Sequence, residues 1–258
     1  MKIIGLLKAD FLKMRHTSFY MIHILVPAIG VILFLGYYYY SPWNTVNKVN
    51  GFFETLCIAF PVLIGIVTEM VIEKEAEAGK FKEMLSVVYG KKMCLLSKVL
   101  MMLAAGLFSL FLASFGFYIG FQYILKQNSL TLDFYVLLTA VIFTAQIFIY
   151  LFHLFLSIKY GSGVSIGMGI FESLVSALFI TGLGDGIWKA VPCSWAVRFC
   201  NNFFTKESGS ADMFKAFGGI KYWIESSSMG IINCIVFTIM IGIALFIWFK
   251  SFEGRGEK

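Results

Sequence analysis

Residues 69–100 read EMVIEKEAEAGKFKEMLSVVYGKKMCLLSKVL, and this charged stretch separates two long apolar runs. It holds five Glu and six Lys, whereas the residues on either side are almost continuously apolar. Across the whole chain of 258 residues, 59% are hydrophobic and only 14% are charged. Since about 25% of the residues in a soluble domain are charged, the composition predicts a polytopic membrane protein.

Six apolar runs are long enough to cross a bilayer, which takes about 20 mostly apolar residues. Charged residues, prolines and clusters of Gly, Ser and Asn separate the runs. The predicted spans are Phe19–Tyr40, Phe52–Ile72, Val99–Leu125, Phe134–Ile158, Val164–Leu183 and Met229–Phe249. The first run is too long for the apolar core of a signal peptide. The sequence therefore predicts an all-α membrane protein, with six transmembrane helices in a single transmembrane domain covering residues 1–258.

The distribution of Lys and Arg predicts which side of the membrane each loop faces. Six spans place both termini on one side, and the segments on that side hold 14 of the 21 Lys and Arg residues. Cytoplasmic loops of membrane proteins are enriched in these residues, so we expect both termini and the charged loop, residues 73–98, to be cytoplasmic. This bias accounts for most of the basic residues, and the net charge of +6 therefore indicates no nucleic-acid partner.

The N-terminal residues 1–17 have the period of an amphipathic helix. Its apolar face is formed by Ile3, Leu7, Phe11 and Met14. Basic residues lie mostly on the other faces, which suits a helix lying along the inner membrane surface in contact with lipids. The alternative is a basic flank that simply continues the first span.

Residues 184–228 form a long outer loop in which Trp, Phe and Tyr lie among Lys and Arg. Such a mixture is typical of the headgroup region, so we expect short helices at the outer interface. The loop either anchors the protein or also meets an amphipathic substrate that arrives from the outer leaflet. Cys193 and Cys200 share this loop, and they would form a disulfide only if their Cα atoms lie within bonding range.

Three carboxylates fall within the predicted spans. Glu54 and Glu69 lie near the two ends of the second span, where each can reach an interface. Glu172 lies halfway along the fifth span, where a charge costs about 2.5–3.5 kcal/mol on insertion. Such a residue faces the bundle interior, a partner or a water-filled path. For Glu172 two interpretations stay open: a hydrogen bond to a neighbouring helix, or a polar point along a substrate path.

Signatures of catalysis or metal binding are not recognisable from the residue spacing. There is no His-Glu-x-x-His motif and no Gly-x-x-x-x-Gly-Lys-Ser/Thr loop. The three histidines stand alone among apolar residues, and the cysteines lack metal-site spacing. We therefore predict no catalytic, metal or cofactor site in this chain. An intramembrane enzyme is the alternative from another class; it would need paired Glu and His residues, and Glu172 has no His near it in the sequence.

Two GxxxG patterns predict close helix packing. One is formed by Gly163 and Gly167 in the fifth span, and the other by Gly116 and Gly120 in the third. Because glycine has no side chain, such pairs let two helix backbones approach closely. We expect a tightly packed bundle.

The charged loop itself contains a short apolar stripe with helical spacing. The stripe is formed by Phe81, Met84, Leu85 and Val88. These positions predict an amphipathic helix of about ten residues, with Gly79 before it and Gly90 as its C-cap. A short helix with an apolar stripe and charged rims suits docking into a cleft on a soluble partner; the alternative is a helix on the membrane surface without a partner.

The loop pattern Glu75-x-Glu77-x-Gly79, followed by Glu83-x-Leu85, a turn and a final Lys98 at the start of the third span, resembles the first cytoplasmic loop of type-2 ABC exporter permeases. Six helices, a basic N-terminal helix and a long outer loop before the last span are also similar to that family's plan. Within the family, Lys-Ala-Asp-Phe-Leu-Lys at 8–13 and Pro-x-Ser-Trp-x-x-Arg at 192–198 resemble permease subunits of lantibiotic-immunity transporters.

This resemblance implies a non-catalytic permease in the plasma membrane of a Gram-positive bacterium. Its partners would be a separate ABC ATPase, acting as a dimer and binding ATP and Mg²⁺, and a second, different permease chain. The exporter would expel or detach an antimicrobial peptide and so give immunity. The alternative cargoes are a lipid, a drug or a secreted bacteriocin.

The resemblance also implies roles for particular residues. The residues expected to couple the permease to its ATPase are Glu75, Glu77, Gly79, Phe81, Glu83, Met84, Leu85 and Val88. The candidates for the substrate path are Glu172, Glu54, Trp195 and Arg198.

Overall fold

The computed structural model describes residues 2–86, 90–207 and 219–255, and these residues contain helices and no strand. The α-helices of this part of the chain are α1 (Lys2–Lys13), α2 (Phe19–Tyr40), α3 (Thr45–Glu77), α4 (Lys82–Ser86), α5 (Lys91–Ile119), α6 (Leu132–Tyr160), α7 (Ser162–Phe179), α8 (Pro192–Glu207) and α9 (Gly219–Ser251). A π-helical turn, Gly120–Ile124, continues α5. Short 3₁₀ turns cover Met14–His16, Gly182–Gly184 and Trp188–Ala190.

Five of these helices are long and apolar enough to cross a membrane. They are Phe19–Tyr40, Thr45–Glu77, Lys91–Ile124, Leu132–Tyr160 and Ser227–Ser251. The apolar part of α7, Gly163–Phe179, is shorter. The chain is therefore a multi-pass all-α membrane protein, as its composition predicts.

A helix has the bounds of its predicted span when the residues next to the apolar run do not themselves favour a helix. Helix α2 has the predicted bounds, whereas α3 extends the predicted second span at both ends. At its start the side chain of Asn44 accepts a hydrogen bond from the backbone of Asn47 and caps the helix. At its end residues 73–77 are good helix formers, and so the helix continues past the apolar run. The charged residues 73–77, which the sequence assigns to the loop, are therefore part of α3.

Helix α3 lies at the centre of the bundle and packs most extensively against α7 and α6. Backbones of α3 and α7 are in direct contact, because a Cβ atom on Gly65 would lie 2.8 Å from the carbonyl oxygen of Ser165. A Cβ atom on Gly169 would lie 2.7 Å from the carbonyl oxygen of Pro61. Small residues at these positions therefore set the spacing of the two helices.

One GxxxG prediction is confirmed and the other is wrong about the packing face. Gly116 and Gly120 of α5 lie against Val31 and Leu35 of α2, with no room for a larger side chain at Gly120. In α7, by contrast, no atom lies within 4 Å of a Cβ atom built on Gly163 or Gly167. The face that contacts α3 carries Ser165 and Gly169 instead, two residues further along the helix.

The described helices bring the functional candidates to two opposite ends of the bundle. We call one the charged end; it contains α1, α4, the turn between α6 and α7, and the C-terminal residues 252–255. Arg255 there donates to the carbonyl oxygens of Ile158 and Ser157. The opposite end contains the turns at 41–44 and 126–131, which are joined by a 2.7 Å hydrogen bond from Thr45 to the carbonyl oxygen of Gln127. Helix α1 and the last described residues, 252–255, therefore lie at the same end.

The long loop between α7 and α9 differs from the interfacial helices that the sequence predicts. Residues 193–200 of α8 are all buried, so this part of the helix is enclosed by the bundle instead of lying on a surface. All five cysteines lie in the described part of the chain, and they are free thiols. Cys193 and Cys200 are two helical turns apart, about 10 Å, which exceeds the range that a disulfide can bridge.

Candidate functional site

At the charged end, three buried ionised side chains from three helices form one cluster. Lys98 of α5 places its Nζ 2.7 Å from Oε1 of Glu75 in α3, and 3.0 Å from Oδ1 of Asp10 in α1. The exposed fractions of Lys98, Glu75 and Asp10 are only 3%, 3% and 8%. Ser97 donates a further hydrogen bond to Asp10. Breaking a buried ion pair by removing one member is strongly destabilising, so this cluster fixes the relative positions of α1, α3 and α5.

Lys13 extends the cluster to the segment that contains α4. Its Nζ lies 3.0 Å from Oε1 of Glu75 and 2.6 Å from Oε2 of Glu83. Partial burial lowers the pKa of Lys13, but the hydrogen bonds and charges of Glu83 and Glu75 outweigh it, and the pKa is raised above its ordinary value. Lys13 therefore stays charged and ties α4 to α1 and α3. Its side chain is 40% exposed, so this pair is weaker than the buried one.

The chain reverses sharply between α3 and α4. Gly79, Lys80 and Phe81 have φ values of 147°, 52° and 67°, in the left-handed region that a non-glycine residue adopts at a cost. The reversal turns Phe81 inward, where its ring lies 5.5 Å from that of Phe252 and 5.1 Å from the guanidinium of Arg255. Helix α4 is thus held between the start of α5 and the C-terminal residues.

The apolar stripe of α4 is therefore partly used within the chain. Phe81 and Met84 are each 2% exposed, whereas Leu85 is half-buried. The described part of the helix has five residues, Lys82–Ser86, instead of about ten, and Val88 lies outside the described residues. Because Phe81 and Met84 are buried inside the protein, Leu85 is the apolar residue of α4 that remains available to a partner. The residues around it, Lys82, Glu83 and Ser86, are exposed.

The remaining predicted coupling residues divide between the cluster and the surface. Glu75 is at the centre of the cluster, and Glu83 is its exposed edge. Glu77 points away and pairs with Lys74 at 2.8 Å on the surface. Gly79 supplies the backbone conformation of the reversal. The cluster is completed by Asp10, Lys13 and Lys98. The sequence did not identify these three as site residues, although opposite charges on neighbouring segments are a signal for such pairs.

A second group of buried polar side chains connects α6 and α7. Nε2 of His153 lies 2.9 Å from Oε2 of Glu172, and Nδ1 of His153 lies 2.8 Å from Oγ of Ser165. The Ser165 hydroxyl also donates to the carbonyl oxygen of Gly65 in α3 at 3.3 Å. The tautomer of His153 determines which of its two ring nitrogens donates and which accepts.

This arrangement corrects two interpretations of the sequence. His153 is not isolated, and Glu172 does have a histidine partner, because the turn at Gly161 folds α7 back against α6. Glu172 thus makes the interhelical hydrogen bond that was one of its two open interpretations; its place on a substrate path stays a prediction. The expectation that residue spacing shows no catalytic signature is also wrong at one place, because Gly163-x-Ser165-x-Gly167 matches a GxSxG pattern. No spacing in the sequence connects Ser165 to His153.

Two residues of α8, Trp195 and Arg198, are predicted as substrate contacts; Arg198 connects α8 to the end of α7, and Trp195 connects it to the 3₁₀ turn Trp188–Ala190. Arg198 donates to the carbonyl oxygens of Phe179 and Thr181 and pairs with Asp185 at 2.9 Å. A cation at a helix C-terminus satisfies its unpaired carbonyl groups and favours the helix dipole. The ring of Trp195 is fully buried, and its Nε1 donates to the carbonyl oxygen of Lys189 at 3.0 Å. Both residues are held by intramolecular partners.

The two carboxylates of α3 have different environments. Glu54 is half-buried at the opposite end, where its Oε1 accepts a hydrogen bond from Asn50 at 2.8 Å, and it borders an open cleft. Glu69 was expected to reach an interface, but it is only 5% exposed and lies beside Ser157 of α6. That expectation is wrong because α3 continues beyond Glu69 for two turns, which keeps this residue inside the bundle.

Fold and buried charges together define a multi-pass all-α membrane protein with an ion cluster at one end. Comparisons with protein-family models, with curated proteins and with solved structures found no match to this chain.

Proposed function

We propose that this chain is the permease subunit of an ABC exporter that expels or detaches an antimicrobial peptide of the lantibiotic class from a bacterial plasma membrane. The observation that carries the proposal is the position of α4. It is a short helix outside the long apolar helices, at the end that holds α1 and the last described residues, and ion pairs connect it to α1, α3 and α5.

In this proposal α7 is the sixth span and the charged end faces the cytoplasm. A separate ATPase dimer, which binds ATP and Mg²⁺, contacts α4 through Leu85 and the exposed residues around it. Closure of the dimer pushes on α4, and Lys13, Glu75 and Lys98 transmit the push to the ends of α1, α3 and α5. Since α3 and α7 are in backbone contact at Gly65 and Gly169, movement of α3 carries α7 with it. A second permease chain completes the transporter.

Susceptibility of cells to peptides tests both the coupling and the cargo. Cells that express the chain with its ATPase are challenged with a panel of lantibiotics and, separately, with unrelated membrane-active drugs. We expect selective protection against a lantibiotic, lost in Leu85→Asp and kept in Leu183→Asp. Leu183 is the control because it is 71% exposed at the opposite end. Protection against drugs alone would indicate the alternative cargo, and equal protection by the Leu85 variant would contradict the coupling role.

One observation favours a second candidate, an intramembrane serine hydrolase. Ser165, His153 and Glu172 are linked in the order nucleophile, base and carboxylate, at distances typical of a catalytic triad. Ser165 is, however, fully buried against the backbone of α3 at Gly65, so a substrate reaches it only if the two helices separate. The permease proposal predicts that a fluorophosphonate probe does not label Ser165; labelling that disappears in Ser165→Ala would favour the hydrolase.

A further inference from the structure

At the opposite end, an open cleft of about 400 Å³ separates the last turns of α2 from the first turns of α3. Residues from both helices and from the turn between them form its walls. They are Phe34, Tyr37, Tyr38, Trp43, Asn47, Asn50, Gly51, Glu54 and Thr55. Gly51 keeps the cleft open beside Tyr38, because a Cβ atom there would lie 2.9 Å from the Tyr38 hydroxyl.

Hydrogen-bond acceptors in this cleft are only partly used. Asn50 donates from Nδ2 to Oε1 of Glu54 at 2.8 Å and to Oδ1 of Asn201 at 3.2 Å. Its own Oδ1 is buried and has no hydrogen-bond partner among the described residues. Glu54 also has a hydrogen bond with the side chain of Asn201. A carboxylate can accept about four hydrogen bonds, so Glu54 has capacity beyond its bonds with Asn50 and Asn201, and a ligand that donates hydrogen bonds would use this capacity.

Two aromatic side chains lie at the mouth of the cleft. The rings of Tyr37 and Trp43 are edge to face with centroids 6.4 Å apart, and they are 56% and 49% exposed. Aromatic faces attract cations, tryptophan most strongly. Glu54 adds a carboxylate to these walls. Together the walls favour a cation that carries several N–H donors.

The charges around the cleft distinguish between two sources of such a cation. Among the described residues that line it, Glu54 is the one that is charged. The nearby Lys48 is 4% exposed and already donates to the carbonyl oxygen of Tyr38 at 2.9 Å and to Gln127 at 2.7 Å. An ethanolamine headgroup carries a phosphate next to its ammonium group, and this phosphate would find no cation in the lining. The ammonium group of a lysine side chain has no such neighbour.

We propose that this cleft binds the primary ammonium group of a lysine in an amphipathic peptide, through Glu54, with Tyr37 and Trp43 against its aliphatic stem. The inference rests on the proposed function for the peptide as cargo. It needs no ATPase, so binding by the permease chain alone can be measured separately from coupling.

The test is binding to the full chain in nanodiscs of phosphatidylcholine and phosphatidylglycerol, which contain no primary amine. The probes are an amphipathic peptide of leucine and lysine and the same peptide with its lysines acetylated. The test variant is Glu54→Gln. The matched control is Asp133→Asn, which also removes one outer carboxylate. Asp133 is exposed in the first turn of α6, at the same end as the cleft.

We expect Glu54→Gln to weaken binding of the lysine peptide about tenfold, as loss of a charge-assisted hydrogen bond does. Asp133→Asn should leave the affinity unchanged, and acetylation should weaken binding to the wild type as much as Glu54→Gln does. Equal affinities of the two variants, or of the two peptides, would overturn the proposal. Nanodiscs that contain phosphatidylethanolamine should give the same affinity; if this lipid abolishes binding only when Glu54 is present, the cleft takes a lipid headgroup and the peptide assignment is wrong.

Discussion

Replacing Lys98 by methionine would leave the buried Asp10 without its cation, and Glu75 would keep just its ion pair with the partly exposed Lys13. The side chains of Lys98 and Glu75 are 4% and 3% exposed, so water cannot replace the lost charge. Methionine has nearly the length of lysine, and the loss is therefore electrostatic more than steric. Removing one member of a buried ion pair costs about 3–5 kcal/mol, and we expect this decrease in the free energy of unfolding.

The assay is an unfolding titration with sodium dodecyl sulfate in mixed micelles, followed by circular dichroism. Lys74→Met is the control, because Lys74 and Glu77 form an exposed pair with side chains 48% and 58% exposed, for which the expected loss is below about 1 kcal/mol. Combining Lys98→Met with Asp10→Asn and Glu75→Gln removes every charge of the trio and should restore most of the stability. If Lys98→Met alone were as mild as the control, the cluster would not hold the helices together.

Three further outcomes follow from single contacts. Gly169→Ala should lower the free energy of unfolding by about 1–3 kcal/mol through overpacking against Pro61, whereas Gly163→Ala on the open face should not; an equal effect of the two in the micelle titration would refute the α3–α7 contact. Glu172→Gln keeps a hydrogen-bond acceptor for His153 and should leave assembly and peptide resistance intact. A loss of resistance without unfolding would show that Glu172 lies on the substrate path. The raised pKa of Lys13 means that its ion pairs stabilise the fold fully below the ordinary lysine pKa of 10.5 and are lost as pH rises through the higher folded value. The difference in unfolding midpoint between wild type and Lys13→Met should thus be constant at neutral pH and shrink above about pH 10.5. The difference in midpoint between Lys13→Arg and Lys13→Met should persist above that pH. A wild-type difference that shrinks below pH 9 would contradict this pairing.

The sequence predicts the long apolar helices well, since apolar length alone decides which segments can cross a bilayer. Helix α2 has its predicted bounds, and the charged stretch does separate two such helices. Periodicity also groups Phe81 with Met84, and both are buried, although Phe81 lies in the turn before α4 and not in the helix. It cannot say what covers these residues, and the left-handed turn at residues 79–81 directs both side chains into the protein instead of toward a partner.

Contacts between distant helices explain most of the errors. His153 and Glu172 are 19 residues apart, and only the reversal at Gly161 makes them neighbours. The choice of Ser165 and Gly169 over Gly163 and Gly167 as the packing face of α7 depends on how the helix is rotated toward α3. Rotation is set by the interhelical hydrogen bonds of Ser165 and Glu172, which local patterns do not contain. Asp10 and Lys98 belong to segments about 90 residues apart, so their pairing is equally invisible to spacing rules.

The most direct test of the central claim is whether α4 holds an ATPase. The permease is purified under mild conditions from cells that also produce the ATPase, as wild type, Leu85→Asp and the control Leu183→Asp, and the ATPase in each preparation is quantified. The proposal predicts that the ATPase accompanies the wild type and the control and is absent from a folded, membrane-inserted Leu85→Asp. An ATPase that still accompanies Leu85→Asp in normal amount would contradict the assignment of the charged end as the place where a motor binds.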